Sequence, residues 1–532
     1  MRPDMNRRDL LAAIAEQRKA IADAETHLDE ARACLADLER ELARLEEPVA
    51  LPITRSLPFP LGPVPETADD KITLFRKLFA GREDVFPRLW TNQRTGKKGY
   101  APACENEWVP GVCRKPRVKC GECPDRAFAP VTDQVIADHL RGKHVIGVYP
   151  LLSNETCSLL AVDFDKEAWR EDASAFAATC RAMDIPVAVE RSRSGNGAHA
   201  WFFFAKPVPA QAARKMGCFL LTETMSRRHQ LSMTSYDRLF PNQDTMPAGG
   251  FGNLIALPLQ KETRERGNTV FLGEDLVPIA DDLQWAHLAR VARIDPLIVH
   301  DLAAEATRQG RVVGVRAVEF REDADPKPWS RPPSGRPRPK RLEAPLPCAV
   351  SAVRAQQIFI DKADLPSALI TAMKGLAAFQ NPEFYKKQAM RLSTAMTPRV
   401  IQCFVEDELH LALPRGCLDD LRELLDRNDV ALCLKDERFE GEPLDVSFSG
   451  VLTATQEVAV DALLAHDIGV FVAPPGIGKT VVGINLIAKR GRNALILVHR
   501  QPLLEQWRNQ LARFLELDVE ERTPLSGLPK TL

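Results

Sequence analysis

The spacing of apolar residues changes several times along the 532-residue chain, and each spacing predicts a different element. In residues 7–46, apolar side chains recur every seven residues between charged ones. This pattern predicts a coiled-coil helix over 1–47, which could form a homodimer or fold back on another helix. Repeated prolines without any period then indicate a stiff linker over 48–71. An amphipathic pattern resumes at Ile72 and predicts the start of a globular domain.

An uninterrupted apolar run ends in two acidic residues in the stretch Thr156–Asp165, TCSLLAVDFD. The run predicts a buried strand, in which residues two apart point to the same face. Asp163 and Asp165 would therefore project together and repel each other unless a cation lies between them. Carboxylate oxygens favour Mg²⁺ or Mn²⁺. The alternative is a strand end that meets solvent with two charges.

A second stretch, residues 187–204, reads VAVERSRSGNGAHAWFFF and predicts a strand, a glycine turn and a very apolar strand. Gly195 and Gly197 permit positive φ and leave backbone N–H groups uncovered. With Arg193, Ser194 and His199 beside them, these amides could bind a triphosphate. An ordinary hairpin with a histidine on its polar face remains the alternative.

A third acidic segment, SYDRLFPNQD, follows a predicted helix at residues 235–244. Asp237 is the candidate third carboxylate of the metal site, and Asp244 is the alternative. Asn242 and Gln243 could hydrogen-bond a sugar or a base.

Four cysteines lie within the loop 104–123, and the last two form a C-x2-C pair. Four thiolates at this density predict a tetrahedral structural Zn²⁺ site, although the spacing is irregular and scattered structural cysteines are the alternative. Basic residues surround the loop and could contact a nucleic-acid backbone. The predicted zinc ligands are Cys104, Cys113, Cys120 and Cys123.

Near the C-terminus, the pattern predicts a strand over 468–472, the loop APPGIGKT and an amphipathic helix, which is the order of a phosphate-binding loop. A further strand is expected over 495–498. No acidic Walker-B strand follows before residue 532, so we expect a truncated ATP-binding part that hydrolyses ATP poorly alone. The candidate ATP-binding residues are Gln456, Gly476, Gly478, Lys479 and Thr480.

The composition narrows the class of protein but does not indicate a function. Apolar residues make up 45% and charged residues 27% of the chain, as in globular proteins, and the net charge of −1 gives no overall attraction to polyanions. No apolar run is long enough to span a membrane and no signal peptide is apparent, so we expect a cytoplasmic protein without a membrane partner. Residues 325–347 are rich in proline and arginine and predict an extended linker.

Taken together, the stretches NEW…C…KC-x2-C, HLRGKHVIGVYPLL, LLAVDFD, RSRSGNGAHAWFFF and YDRLFPNQD-x4-GGFGNLIALPLQ resemble the primase of bacterial TOTE conflict systems, an archaeo-eukaryotic primase–polymerase. The blocks FSGVLTATQ, APPGIGKT and LILVHRQPLLEQW resemble the superfamily-two helicase (DEAD/DEAH type) fused to it. The resemblance implies an α/β multidomain chain: a primase–polymerase domain with an RRM-like core over 72–295, a partly helical segment and linker over 296–345, a helicase-associated module over 346–447, and an incomplete P-loop, RecA-like domain over 448–532.

The same resemblance implies template-directed nucleotidyl transfer in defence against invading DNA. Asp163, Asp165 and Asp237 would hold two Mg²⁺ or Mn²⁺ ions, and Arg193, Ser194 and His199 would bind the phosphates of an NTP or dNTP. Expected partners are single-stranded or primed DNA, RNA as a further candidate, and proteins that supply the rest of the helicase. A metal-dependent nuclease using the same acids and a non-catalytic DNA-binding remnant are the alternatives.

Overall fold

The computed structural model describes residues 63–165, 167–309, 312, 341–342, 345–394 and 396–515. The predicted coiled coil, most of the first linker and nearly all of the proline- and arginine-rich linker lie outside these residues. Among the described helices, none is both long and apolar enough to cross a membrane.

The first part of the described chain is a mixed α/β unit. Its elements are α1 (Ala68–Leu78), β1 (Pro87–Thr91), β2 (Lys98–Pro102), α2 (Asp133–Leu140), β3 (Gly147–Val148), β4 (Thr156–Phe164), α3 (Trp169–Ala182), β5 (Ala188–Arg191), β6 (Ala198–Pro209), α4 (Ala210–Arg227), β7 (Leu239–Phe240), β8 (Ile255–Ala256), α5 (Lys261–Arg264), α6 (Gln284–Arg290) and α7 (Pro296–Gln309). Four strands form one sheet in the order β5-β6-β4-β7, and the remaining strands pair as β1-β2 and β3-β8.

The central sheet forms because β4 and β6 are apolar on both faces. Leu159 and Ala161 belong to one buried cluster, whereas Leu160 and Val162 belong to another on the opposite face. Alternation along the strand therefore places β4 between two cores, as its continuous apolar run predicts. The helix α1 covers the face that carries Leu159, and it begins at a capping box formed by Thr67 and Asp70.

The second part is an α/β module that packs against the first. It contains β9 (Ala349–Arg354), β10 (Ile358–Asp361), α8 (Ser367–Leu376), β11 (Ala378–Gln380), α9 (Pro382–Ala389), β12 (Val400–Gln402), β13 (Val405–Glu406), β14 (His410–Leu413), α10 (Leu418–Arg427) and β15 (Ala431–Asp436). Five of these strands form a sheet in the order β13-β14-β10-β9-β15. The hydroxyl of Thr371 on α8 donates to the carbonyl oxygen of Met225 on α4 at 2.7 Å, so the module contacts the first unit directly.

The third part contains α11 (Ala454–Leu464), α12 (Lys479–Arg490) and α13 (Gln501–Leu515). The strands predicted over 468–472 and 495–498 are not formed, which corrects that expectation. Val470 is 87% exposed and Leu497 is 83% exposed, so the apolar side chains have no sheet to pack into. A strand needs a neighbouring strand to share its backbone hydrogen bonds, and among the described residues no strand pairs with either segment.

Candidate functional site

The centre of the candidate site is the register between β4 and β6. Asp163 is directly opposite His199 in the antiparallel pair, and side chains of opposed residues point to the same face. Nε2 of His199 lies 3.7 Å from Oδ1 of Asp163. The sequence-predicted acid and the sequence-predicted histidine are therefore neighbours at the end of the same sheet face.

A guanidinium group joins the two paired aspartates. Nη1 of Arg238 lies 3.1 Å from Oδ2 of Asp163, and Nη2 lies 2.7 Å from Oδ2 of Asp165. The backbone N–H of Asp163 also donates to the carbonyl oxygen of Arg238 at 3.0 Å, which extends the β4-β7 pairing. The guanidinium of Arg238 thus neutralises both carboxylates, which would otherwise repel each other.

Burial makes the charge of Asp163 costly. Its pKa is raised chiefly by burial, and the negative charge of Asp165 adds to the rise, against the lowering effects of His199 and Arg238. An additional cation near this carboxyl group would stabilise its charged form.

His199 is oriented by a buried glutamate. Its Nδ1 lies 2.7 Å from Oε2 of Glu190, and the same oxygen accepts a 3.1 Å hydrogen bond from Nε1 of Trp201. Burial tends to lower the pKa of His199, but Glu190 and Asp163 outweigh it, so the pKa of His199 is raised. The site therefore favours a positively charged imidazole next to the acidic pair.

The glycine turn lies where the sequence predicts it, between β5 and β6. Gly195 has φ +79°, which L side chains rarely adopt. At Gly197, a Cβ would lie 2.6 Å from the carbonyl oxygen of Phe164, so only glycine allows the hairpin to approach the end of β4 this closely. Ser194 is exposed at the turn, and its Oγ accepts a 3.2 Å hydrogen bond from the N–H of Asn196. Arg193 is half-buried at the same turn.

Asp237 ends the short 3₁₀ helix Met233–Asp237, one residue before Arg238. Its Oδ1 accepts a 2.7 Å hydrogen bond from the backbone N–H of Arg399, which belongs to the second α/β module. Burial raises the pKa of this carboxyl. The backbone of Asp237 is thus close to the acidic pair, but one of its carboxylate oxygens is committed elsewhere.

The alternative third acid is fully engaged. Oδ1 and Oδ2 of Asp244 lie 2.5 Å and 2.8 Å from Nε and Nη2 of Arg214, and both side chains are almost completely buried. The side chains proposed to contact a sugar or base also have protein partners: Asn242 donates to the carbonyl oxygen of Asp237, and Gln243 donates to Oγ1 of Thr394.

Within the described ranges, no group of three or more His, Cys, Asp or Glu side chains is arranged to hold a metal ion. The four cysteines of the predicted zinc loop nevertheless line one pocket. Hydrogen bonds from the backbone N–H groups of Lys115 and Trp108 lower the pKa of Cys113. Gly121 packs against the backbone of Gly249, so the loop lies beside the segment that follows Asp237.

The predicted phosphate loop precedes α12. Gly476 and Gly478 have φ values of +90° and +85°, as the sequence suggests for a loop that wraps a phosphate. Thr480 lies in the first turn of α12, and Nζ of Lys479 donates to the carbonyl oxygen of Pro474 at 3.0 Å. Gln456 donates to the carbonyl oxygen of Ile477 at 2.7 Å and accepts from the N–H of Thr453, so its amide is engaged within the protein.

Sequence reasoning did not identify three residues of this site: Glu190, Arg238 and Arg399. A charged residue inside the apolar stretch VAVER was a usable signal for Glu190, because a buried carboxylate requires a partner. The position of Arg238 directly after Asp237 offered a weaker signal. Nothing near Arg399 in the sequence indicates its contact with a residue 162 positions away.

Two family models match the chain in the corresponding places. Residues 70–302 match the "TOTE conflict system, Archaeo-Eukaryotic Primase domain", and residues 449–528 match "Type III restriction enzyme, res subunit". The chain therefore carries a primase domain of the TOTE type joined to a helicase-like segment, and the family resemblance drawn from the sequence is confirmed.

Similar curated proteins match a short stretch of the chain. A putative DNA 3′-5′ helicase Rad25 of Haloarcula marismortui is 36% identical over 81 residues, covering 15% of this chain and 13% of that protein. The DNA 3′-5′ helicase XPB of Mycobacterium tuberculosis is 35% identical over 94 residues, covering 18% and 17%. The chain thus spans less than a fifth of either relative.

Among solved structures, the polymerase domain of Mycobacterium tuberculosis Ligase D in complex with DNA is 14% identical and aligns with a TM-score of 0.24. The alignment covers 46% of this chain and 94% of that one.

Proposed function

We infer that this chain is a template-directed nucleotidyltransferase of the primase–polymerase type. The observation that carries the proposal is the register of β4 and β6, which sets Asp163 and His199 side by side next to the glycine turn. This arrangement lies inside the segment that matches the primase family. An acidic pair and a cationic phosphate-binding group at one sheet edge suit the transfer of a nucleoside monophosphate from a nucleoside triphosphate to a hydroxyl group, with release of pyrophosphate.

Each residue has a chemical part in this proposal. The imidazole of His199, held by Glu190, would contact the phosphates of the incoming nucleotide together with the hydroxyl of Ser194. The turn at Gly195 and Gly197 allows phosphate oxygens to approach backbone N–H groups. Arg193 would add positive charge at the outer side of the turn.

The acidic pair fits a divalent cation on chemical grounds. Both donors are carboxylates, and burial together with the charge of Asp165 raises the pKa of Asp163, which a cation would offset. Arg238 neutralises this pair in the structure, so a bound ion would share the two carboxylates with its guanidinium. Asp237 fits through its second oxygen only, because its Oδ1 accepts the N–H of Arg399. Divalent ions at such a site activate the attacking hydroxyl and stabilise the pyrophosphate that leaves.

The other parts of the chain have supporting roles in this proposal. The cysteine loop would hold a structural Zn²⁺ ion beside the segment after Asp237. The loop at Gly476–Thr480 would bind ATP, and Gln456 would support it by holding the carbonyl of Ile477. Single-stranded or primed DNA would be the template, as part of a system that acts against invading DNA.

The test is nucleotide incorporation on a primed DNA template with Mn²⁺ and dNTPs, or with NTPs in parallel. We expect incorporation by the full chain and a loss of at least about 10³-fold when Asp163→Asn and Asp165→Asn are combined, since the metal-binding carboxylates supply several kcal/mol to such reactions. The matched control is Asp184→Asn, which removes a carboxylate from a turn outside the site.

Two results would replace the proposal with an alternative. Release of labelled DNA fragments without added nucleotide, lost in the same double variant, would indicate a metal-dependent nuclease. Salt-sensitive DNA binding without incorporation or cleavage would indicate a non-catalytic DNA-binding protein.

A further inference from the structure

The segment after Asp237 is held along its length by the second α/β module. The backbone N–H of Asp244 donates to Oε1 of Gln388 at 3.2 Å, and the N–H of Ala248 donates to the carbonyl oxygen of Arg391 at 2.8 Å. The side chain of Gln243 donates a hydrogen bond to Oγ1 of Thr394 in the module. Residues 388–394 and 396–399 of the module therefore support residues 237–248 through hydrogen bonds.

Arg399 is the part of this support that reaches the candidate third acid. Its N–H donates to Oδ1 of Asp237 at 2.7 Å. Its Nη2 donates to both the carbonyl oxygen and Oδ1 of Asn242, the latter at 3.1 Å. Asn242 in turn donates from Nδ2 to the carbonyl oxygen of Asp237 at 3.1 Å. One residue thus fixes the carboxylate of Asp237 directly and its backbone through Asn242.

The same residue is costly for folding. The side chain of Arg399 is fully buried, and its Nε and Nη1 have no hydrogen-bond partner within the described chain. Its guanidinium carbon lies 4.2 Å from the ring centre of Phe384, and the repulsion by Arg214 acts on its charge more strongly than the attraction by Asp244. A buried charge that is only partly paired often costs more than an apolar residue of the same size. The hydrogen bonds to Asn242 are therefore the feature of this arginine that an apolar residue could not replace.

Ligands of a metal ion are commonly held in place by hydrogen bonds to the oxygen that does not face the metal. Oδ1 of Asp237 accepts the N–H of Arg399, which leaves its other oxygen for an ion. On the basis of the proposed polymerase site, we propose that Arg399 is a positioning residue: its guanidinium fixes the backbone of Asp237 through Asn242, and cation binding at the site thereby depends on the second α/β module.

The experiment measures Mn²⁺ binding to the full chain by electron paramagnetic resonance of free Mn²⁺, together with nucleotide incorporation. Arg399→Met keeps the side-chain volume, the packing on Phe384 and the backbone N–H bond to Asp237, but it removes the guanidinium and its link to Asn242. We expect Mn²⁺ affinity to fall about tenfold, which is the lower end of the usual effect of such supporting groups. The kcat should fall while the nucleotide KM and the unfolding midpoint stay unchanged.

The matched control is Arg391→Met, since the side chain of Arg391 lies on the same segment and contacts Glu155 and the carbonyl oxygen of Met246, but neither Asp237 nor Asn242. It should leave Mn²⁺ affinity unchanged. The combined Asp163→Asn and Asp165→Asn variant gives the Mn²⁺ binding that does not come from this site.

Unchanged Mn²⁺ affinity in folded Arg399→Met would overturn the proposal. If that variant does not fold, Asn242→Ala removes the same link from the other side, and it must show the same tenfold loss for the proposal to stand. If the wild-type chain binds Mn²⁺ but incorporates no nucleotide, the polymerase function fails. If it polymerises and Arg399→Met binds Mn²⁺ normally, only the role of Arg399 fails.

Discussion

At the scale of single residues, the site depends on partners that lie on neighbouring strands. Asp163 and Asp165 could be placed on one face from the alternation of side chains in a strand, which is a local rule, whereas the position of His199 beside them depends on the pairing of β4 with β6. The contacts of Glu190 and Arg238 likewise depend on which strands pair and in which register. Sequence analysis therefore recognised the charged groups expected to react but missed those that orient them.

Glu190→Gln tests this orienting role. The amide keeps the size of the side chain and a partner for Trp201, but it replaces a charge-assisted hydrogen bond to His199 with a neutral one. Hydrogen bonds to charged groups contribute about 1.5 kcal/mol, so we expect the nucleotide KM to rise about tenfold with a smaller change in kcat. Steady-state incorporation at varied dNTP concentration gives both constants.

Glu171→Gln is the matched control, because it removes an exposed carboxylate from the first turn of α3. A nucleotide KM that is the same in Glu190→Gln and in wild type would show that His199 does not bind the nucleotide.

At the scale of elements, the sequence predicted the strand β4, the hairpin β5-β6 and the turn between them, because each has a complete local signal. It failed for residues 468–472 and 495–498, where apolar runs indicated strands that the structure does not form. An apolar run specifies a strand only if a neighbouring strand offers hydrogen bonds, and in the described part of the chain no strand pairs with either run. Local patterns therefore predict the elements of the primase sheet better than those of the helicase-like part.

The cysteine loop is an element whose metal can be tested directly. We expect purified chain to contain about one zinc ion, and Cys120→Ser combined with Cys123→Ser to lose it, because structural sites require all four ligands. Mass spectrometry of the metal content gives the ratio. Cys348→Ser with Cys433→Ser is the control, since both cysteines are exposed in the module. Equal zinc in both double variants would exclude the predicted ligands.

The helix α2 should make stability depend on pH through His139. Its Nε2 lies 2.9 Å from the carbonyl oxygen of Pro258, and burial lowers the pKa of His139 to about 4. Between this value and about 6.5, the unfolded chain binds a proton that the native protein does not. The free energy of unfolding should therefore fall by about 3 kcal/mol as the pH drops through this window, and be fully present above it.

Urea unfolding between pH 4 and pH 7 measures this dependence. His139→Gln should have a flatter profile than wild type, because glutamine cannot take up the proton. Parallel profiles for wild type and His139→Gln would contradict the buried neutral histidine.

At the scale of the whole molecule, the primase domain and the second α/β module share a buried, charged interface. Nζ of Lys374 on α8 lies 2.6 Å from Oε2 of Glu406 and donates to the carbonyl oxygen of His229 at 2.5 Å. Val400 of the module also belongs to the core of the primase domain. The sequence predicted both units, but it could not predict that they dock, because these contacts join residues about 145 positions apart.

Glu406→Gln should therefore destabilise both units together. Only 3% of the Lys374 side chain is exposed, and removing its carboxylate leaves a buried charge without a counterion. Such a loss costs about 3 kcal/mol, and we expect this fall in the free energy of unfolding by urea. Hydrogen exchange should speed up in α4 of the primase domain as well as in α8, since Thr371 of α8 is bonded to the end of α4.

Glu408→Gln removes an exposed carboxylate two positions away and should change stability by less than about 0.5 kcal/mol. Faster exchange confined to the module would mean that the two units unfold independently, and Asp237 could then not depend on the module for its support.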